Sequence, residues 1–164
     1  MRLLRPLLIA GILAMSTLAV HAQSRVAVLP FRNMDGNIKY NVWTMQLADS
    51  LRTALQNVDP AQSAFVIIPA DSVEMAISEL NLDPTNPQYE SDVWKAVAAL
   101  GANKVVQGTL LLQGERVLLN AYVYDVSTKM PDATNQAKNI FKSATTYLEA
   151  VSVMARKLHP ALLR

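Results

Sequence analysis

The chain has 164 residues and contains no cysteine, which excludes disulfides, thiolate nucleophiles, zinc–thiolate sites and lipid attached to a thiol. Its 15 basic residues nearly balance its 13 acidic ones, and no run of like charges follows residue 22. The charge pattern therefore gives no indication of binding to nucleic acid or to an anionic membrane.

Residues 1–22 have the layout of a secretory signal peptide. Two arginines form a basic start, an apolar run extends from Leu7 to Val20, and small residues lead to Ala22. The run is short for a membrane-spanning helix, which needs about 20 residues; an uncleaved anchor is the alternative. We expect cleavage after Ala22. The remaining single domain, 23–164, is then formally neutral, and we expect it to be soluble and periplasmic, neither a lipoprotein nor strongly membrane-bound.

Two short runs predict buried strands that lie side by side. Val26–Leu29 and Ala64–Ile68 are continuously apolar, which is typical of parallel strands covered by helices on both faces. A proline, which lacks an N–H, ends the first run at Pro30 and the second at Pro69. The segment Asn33–Asn37 that follows the first strand is rich in turn residues.

Apolar residues spaced three and four apart predict four helices. The first begins near Tyr40 or Asn41 and ends before Asp59, with Arg52 on its polar side. Aromatic side chains at Trp43 and Trp94 fall on inner stripes and are expected in the core. The expected caps are Asp71 with Glu74 for the second helix, Ser91 for the third, and Thr146 with Glu149 for the fourth.

The segment between the third and fourth helices predicts three more strands. Two apolar runs flank Gln113–Arg116, which is typical of a hairpin. The second of these strands has one wholly apolar side, which must lie under helices, and one mixed side, which can be partly open. A more polar third strand within Pro131–Phe141 suits a sheet edge. The apolar side is Val117, Leu119, Ala121 and Val123, and the mixed side is Leu118, Asn120, Tyr122 and Tyr124.

The predicted fold is therefore α/β, of the mixed α+β kind. The order β-α-β-α-α-β-β-β-α gives a single mixed sheet of about five strands with helices packed on it. The first two strands are parallel and are joined by a right-handed crossover. The last three form an antiparallel meander.

We find no catalytic constellation in the sequence. The loop after the first strand lacks the glycines that a phosphate cradle needs. His159, the one histidine after residue 22, stands beside Pro160 in what we expect to be a frayed C-terminus. Asp35 and Asp71 follow the two parallel strands, but a single acid pair falls short of a usual cation site. We expect no enzyme activity, metal or cofactor; the alternative is a small-ligand-binding or hydrolytic site at the loops after the first two strands.

Two stretches resemble the TolB amino-terminal-like domain family. "VAVLPFRNMDGN" matches an opening strand that ends in Leu-Pro-Phe, followed by a short Asn-rich loop. "AVAALGANKVVQGTLLLQGERVLLNAYVYDVST" is similar to a helix ending in Leu-Gly, followed by a hairpin with Gly108, Gly114 and a terminal Asp125. One departure is visible, since Ser127–Met130 stands where the family often has a glycine. The resemblance implies a mixed α/β module of envelope proteins that binds other proteins and shares no catalytic residues.

We therefore expect a non-enzymatic envelope protein that works by contact with another envelope protein or complex. The first candidate surface is the loop from Arg32 to Asn37, with Asn33 and Asp35 as hydrogen-bonding groups. Tyr122 and Tyr124 either pack under a helix or contact the partner, because tyrosines are enriched at interfaces. The open edge of the last strand is the second candidate and could accept a strand from a partner or from another copy of the chain.

Overall fold

The computed structural model describes residues 23–79 and 89–164. The predicted signal peptide and most of the loop between the second and third helices lie outside these residues. The strands are β1 (Ser24–Val28), β2 (Arg32–Asn33), β3 (Phe65–Ile67), β4 (Lys104–Gln113), β5 (Arg116–Asp125) and β6 (Ala137–Ser143). The helices are α1 (Asn41–Val58), α2 (Ala70–Glu79), α3 (Tyr89–Ala99) and α4 (Ala150–Leu162), with 3₁₀ turns at Ile38–Tyr40 and Tyr147–Glu149.

The strands form one mixed sheet in the order β3-β1-β4-β5-β6, which confirms the predicted fold class. β1 lies between β3 and β4 and is parallel to both. β4, β5 and β6 pair antiparallel, as the meander required. Since β1 is central and covered on both sides, its residues Val26, Ala27 and Val28 are fully buried.

Helices cover the two faces of the sheet unequally. α1 and α4 pack on one face over a large core that includes Leu47, Leu51 and Met154. α2 and α3 pack on the other face over a smaller cluster around Val73 and Val97. The smaller cluster reaches only the far end of β5, so much of the second face is left half-exposed.

The alternation predicted for β5 is confirmed. Every second residue faces the large core and is buried, because α1 and α4 cover that side. The intervening residues are half-buried on the less covered face. The buried set is Val117, Leu119, Ala121 and Val123, and the half-buried set is Leu118, Asn120, Tyr122 and Tyr124.

Strand β2 was not predicted. We expected Arg32 and Asn33 to belong to a loop, because Pro30 interrupts the first strand. The chain instead resumes pairing two residues later, and Arg32 lies opposite Thr109 on β4. The sheet therefore gains a sixth, two-residue strand in line with β1.

The prediction that Arg52 lies on the polar side of α1 was wrong. The side chain is buried between the helix and the sheet. One guanidinium nitrogen donates to the carbonyl of Val28, at 3.0 Å, and the other contacts the carboxylate of Asp49. The carbonyl at the end of β1 thus obtains a donor from the helix above it.

The ends of α2 and α4 also differ from expectation. α2 begins at Ala70, so Asp71 lies in the first turn rather than at the cap. Thr146 makes no side-chain capping hydrogen bond, and Glu149 pairs with Lys142 at 2.9 Å. α4 continues through His159 to Leu162, because Leu158, Ala161 and Leu162 are buried against the core. The C-terminus is therefore helical where we expected it to fray.

Within the described residues, no helix combines the length and apolar character that membrane crossing requires.

Candidate functional site

Two grooves lie on either side of Arg32. The first, which we call the loop groove, is bordered by the turn that follows β2 and by the start of α1, and its volume is about 650 Å³. The second, the sheet groove, lies on the half-exposed face of β4 and β5 and measures about 280 Å³. Arg32 lines both of them.

The turn after β2 is held by its own asparagines. The side-chain amide of Asn33 donates to the carbonyl of Asn37, at 2.9 Å, and to Oδ1 of Asn41, at 2.8 Å. Its own Oδ1 accepts the backbone N–H of Asp35, at 3.1 Å. Asn37 Oδ1 accepts the N–H of Lys39, at 3.2 Å. Much of the hydrogen-bonding capacity that we assigned to a partner is therefore used to shape the loop.

Five of the six candidate contact residues line the two grooves. Asn33 and Asp35 line the loop groove with Arg32, whereas Asn37 supports the turn from outside it. Tyr122 and Tyr124 line the sheet groove with Arg32. The structure thus brings Arg32 and the two tyrosines together, an arrangement that follows from the pairing of β2 with β4.

Sequence reasoning missed an exposed apolar stripe beside the loop groove. Ile38 is 80% exposed, Val42 54% and Met45 38%, and these residues are spaced four and three apart along the 3₁₀ turn and the start of α1. Met34, on the turn, is 55% exposed and lines the loop groove together with Met45. We call Met34, Ile38, Val42 and Met45 the apolar stripe. Its helical spacing was readable in the sequence, but we followed only the opposite, inner stripe of the helix.

The sheet groove is lined by five further residues that we did not single out as site residues: Trp94, Gln107, Gly108, Thr109 and Lys129. Trp94 of α3 forms one wall and contacts the ring of Tyr124, with centroids 5.7 Å apart. Gln107 and Thr109 of β4 line the groove, and Lys129 approaches it from the turn after β5. Trp94 was expected in the core; it is half-buried and packs against the smaller core cluster.

The turn after β5 is organised by Asp125. Its carboxylate accepts hydrogen bonds from the hydroxyl and N–H of Ser127 and from the N–H of Thr128, with Lys104 Nζ at 3.6 Å. These donors, the Ser127 hydroxyl above all, hold the pKa of Asp125 at about 2. The turn ends with Lys129 at φ +58°, in the left-handed region that glycine ordinarily occupies.

The structure places His159, Asp35 and Asp71, the groups weighed for catalysis or cation binding, in no common groove. His159 packs edge-on against the ring of Phe65, 5.9 Å away, and lines neither groove. Asp35 lines the loop groove, but Asp71 does not. Among residues 23–79 and 89–164, no group of three His, Asp or Glu side chains is placed to hold a metal ion.

Comparison with solved structures shows that the chain shares its fold with two bacterial proteins. The chain aligns with the C-terminal domain of LpoB from Escherichia coli at 20% identity, over 72% of this chain and 83% of that one, with a TM-score of 0.51. Lipoprotein GNA1162 from Neisseria meningitidis aligns at 18% identity, over 81% and 93%, with a TM-score of 0.52. The chain shares their fold. No protein-family model and no curated protein sequence matches it.

TolB from Acinetobacter baumannii aligns at 18% identity over 86% of this chain and 28% of that one, with a TM-score of 0.46. Because no family model matches the chain, the assignment to the TolB amino-terminal-like family stays a prediction. Since GNA1162 is a lipoprotein by name, the fold itself does not exclude lipid attachment. The expectation of an unlipidated chain depends on its lack of cysteine alone.

Proposed function

We propose that this chain is an exported, non-enzymatic protein of the bacterial envelope that works by binding another envelope protein. The observation that carries the proposal is the apolar stripe, Met34, Ile38, Val42 and Met45, which is exposed beside a groove with polar groups on its floor. Clustered exposed apolar side chains with a polar rim are typical of protein–protein contact surfaces.

Three further observations support export and binding. The sequence has a signal-peptide layout at residues 1–22 and resembles a family of envelope modules that bind other proteins. The fold is shared with LpoB and with a lipoprotein. Among residues 23–79 and 89–164, the lining of the two grooves includes no histidine and no cluster of acids, which are the groups that general acid–base chemistry uses.

The loop groove supplies the rest of this surface. Thr44 is buried at its floor, and its hydroxyl donates to the carbonyl of Asn41, at 2.7 Å. Asn33 fixes the turn that carries Met34, so the methionine is presented from a defined backbone rather than from a free loop. A partner that places an apolar side chain between Met34 and Met45 would bury both methionines, which adapt well to irregular surfaces.

Site-specific photo-crosslinking in whole cells tests the proposal. A photoreactive amino acid at Ile38 or at Met45 should crosslink to the same envelope protein. The control position is Met75 of α2, which is 60% exposed and lines neither groove. The captured partner should then be purified. Its affinity for the double variant Ile38→Ser, Val42→Ser should fall at least tenfold, because the proposed complex buries both of these exposed side chains.

Two results would count against the proposal. Unchanged affinity of the double variant would remove the apolar stripe from the interface. Recovery of only uncrosslinked monomer from both positions, at near-native abundance, would reject a protein–protein function.

A further inference from the structure

The two methionines of the apolar stripe line the same groove. Met34, on the turn after β2, is 55% exposed, and Met45, on α1, is 38% exposed. Both line the loop groove, together with Phe31, Asn33 and Thr44 among others. Methionine differs from other apolar residues because its thioether sulfur is readily oxidised where solvent reaches the side chain. The proposed contact surface therefore carries two oxidisable atoms, and the proposed function gives their reactivity no role.

The described residues include three more methionines, which serve as internal comparisons. Met75 is 60% exposed and Met130 is 65% exposed, and neither lines the loop groove. Met154 is fully buried in the large core. An oxidant in solution therefore reaches exposed methionines inside and outside the loop groove, while the core methionine is protected.

A peroxide supplies the oxygen for the reaction. A lone pair of the sulfur attacks one oxygen of hydrogen peroxide, so that an S–O bond forms and the O–O bond breaks. The departing hydroxide takes the proton from the new S–OH group, which leaves a sulfoxide and water. The sulfur loses an electron pair and the peroxide gains it. Methionine sulfoxide reductases reverse the change, and a dithiol is then oxidised to a disulfide as the sulfoxide oxygen leaves in water.

The loop groove is poorly suited to burying a sulfoxide. Two of the side-chain donors that line it are already engaged. The amide of Asn33 donates to the carbonyl of Asn37 and to Oδ1 of Asn41, and the hydroxyl of Thr44 donates to the carbonyl of Asn41. The carboxylate of Asp35, also in the lining, can only accept hydrogen bonds. Oxidation thus places a strong, hydrated acceptor where an apolar side chain would bind, and displacing its water opposes binding.

We propose that Met34 and Met45 are modification sites at which peroxides switch off partner binding by the apolar stripe. This inference rests on the proposed function and adds its regulation. A sulfoxide on either methionine puts a polar group on a wall of the loop groove. Oxidation leaves the fold intact, because both side chains are exposed and the turn that carries Met34 is fixed by hydrogen bonds of Asn33.

The first part of the test locates the modification. The purified exported protein is treated with hydrogen peroxide, catalase then removes the peroxide, and peptide mass spectrometry measures oxygen uptake at each methionine. Met34 and Met45 should be converted to the sulfoxide under conditions that leave Met154 unmodified. The Tm should stay unchanged, which excludes a loss of binding through unfolding.

The second part measures affinity for the partner that is captured by crosslinking from Ile38. Only this chain is oxidised, and the partner is added after the peroxide has been removed. The affinity should fall at least tenfold, equivalent to about 1.4 kcal/mol, and a methionine sulfoxide reductase with dithiothreitol should restore it.

Two double variants assign the effect to the groove. Met34→Leu, Met45→Leu conserves apolar volume without a sulfur, so it should bind the partner before and after peroxide treatment. The matched control is Met75→Leu, Met130→Leu, which should lose affinity on oxidation as the parent does. If the first variant binds weakly even before treatment, the oxidation response of the control variant decides the question.

Four outcomes would overturn the inference. These are Met34 and Met45 that stay unmodified, unchanged affinity after their complete oxidation, a peroxide response that disappears in the control variant, and a fall in Tm that accompanies the loss of binding. If the untreated chain crosslinks from Ile38 and oxidation has no effect, only this inference is rejected. Failure of the untreated chain to crosslink rejects the proposed function.

Discussion

The ring of Phe31 lies directly against Gly108 of β4. A Cβ added at Gly108 would come within 2.1 Å of a ring carbon, and a second ring atom would lie at 2.4 Å. Phe31 is buried, so its ring has little room to move away. The two residues belong to the two stretches on which the family resemblance rests. The contact explains why both motifs occur together. The ring of Phe31, at the end of Leu-Pro-Phe, can pack on β4 only where the strand has a glycine.

Gly108→Ala should destabilise the fold by about 3 kcal/mol, since the added methyl group overpacks a rigid site. Phe31→Ala alone should cost about 3 kcal/mol through the cavity it leaves. In the double variant the alanine at 108 occupies part of that cavity. The loss of unfolding free energy in the double variant should therefore be smaller than the sum of the two single losses by at least about 1 kcal/mol. Urea unfolding of the four proteins measures this coupling. Strictly additive costs would show that the two residues do not share a site.

Variants at Arg52 and Asp49 should show whether the buried hydrogen bond of Arg52 or its ion pair stabilises α1. Arg52→Met keeps the apolar stem but leaves the carbonyl of Val28 without its donor at 3.0 Å, and it should cost about 1.5 kcal/mol. Asp49→Ala removes the carboxylate, which is 60% exposed, and should cost less than about 0.5 kcal/mol. Denaturant midpoints of both variants give the comparison. If both variants lost the same unfolding free energy, the ion pair with Asp49 would account for the stabilisation by Arg52.

The sheet was predictable because its signals are local. An apolar run such as Val26–Leu29 reports burial on both faces, and the alternation along β5 reports burial on one face. Neither signal depends on the identity of the neighbouring strand. The edge position of β6 was also readable, since its exposed residues are polar apart from Phe141.

The features that were missed depend on contacts between distant residues. Arg32 joins Tyr122 in one groove only because β2 resumes pairing with β4 after Pro30. Arg52 is buried only because β1 ends beneath that part of α1. The left-handed φ of Lys129 follows from the closed turn that starts at Asp125. Residue type does not predict the burial of Arg52, because arginine is usually exposed. It does not predict the left-handed φ of Lys129 either, because that region favours glycine.

Asp125 should make stability depend on acid pH. Its pKa in the folded state, about 2, is lower than the ordinary 3.8 of an unfolded chain, so the carboxylate stabilises the fold above about pH 4. That stabilisation is lost as the pH falls from about 4 towards 2. Because the side chain is 37% exposed, we expect only about 1 kcal/mol at pH 7. Asp125→Asn should therefore lower the urea midpoint at pH 7 and match the parent at pH 2. Glu115→Gln, at the hairpin tip, is the control, and an equal loss in both variants would argue against a specific role for the turn.

The two tryptophans are both half-buried and should contribute unequally to stability. Trp43 lies between Tyr40 and Tyr147, with both ring centroids at 4.8 Å, and joins the start of α1 to the turn before α4. Trp43→Leu should cost about 2–3 kcal/mol in thermal or urea unfolding, because both aromatic contacts are lost. Trp94 contacts the ring of Tyr124 and packs on the smaller core cluster, so Trp94→Leu should cost about 1 kcal/mol. Equal costs for the two variants would show that the second aromatic contact of Trp43 adds nothing to stability.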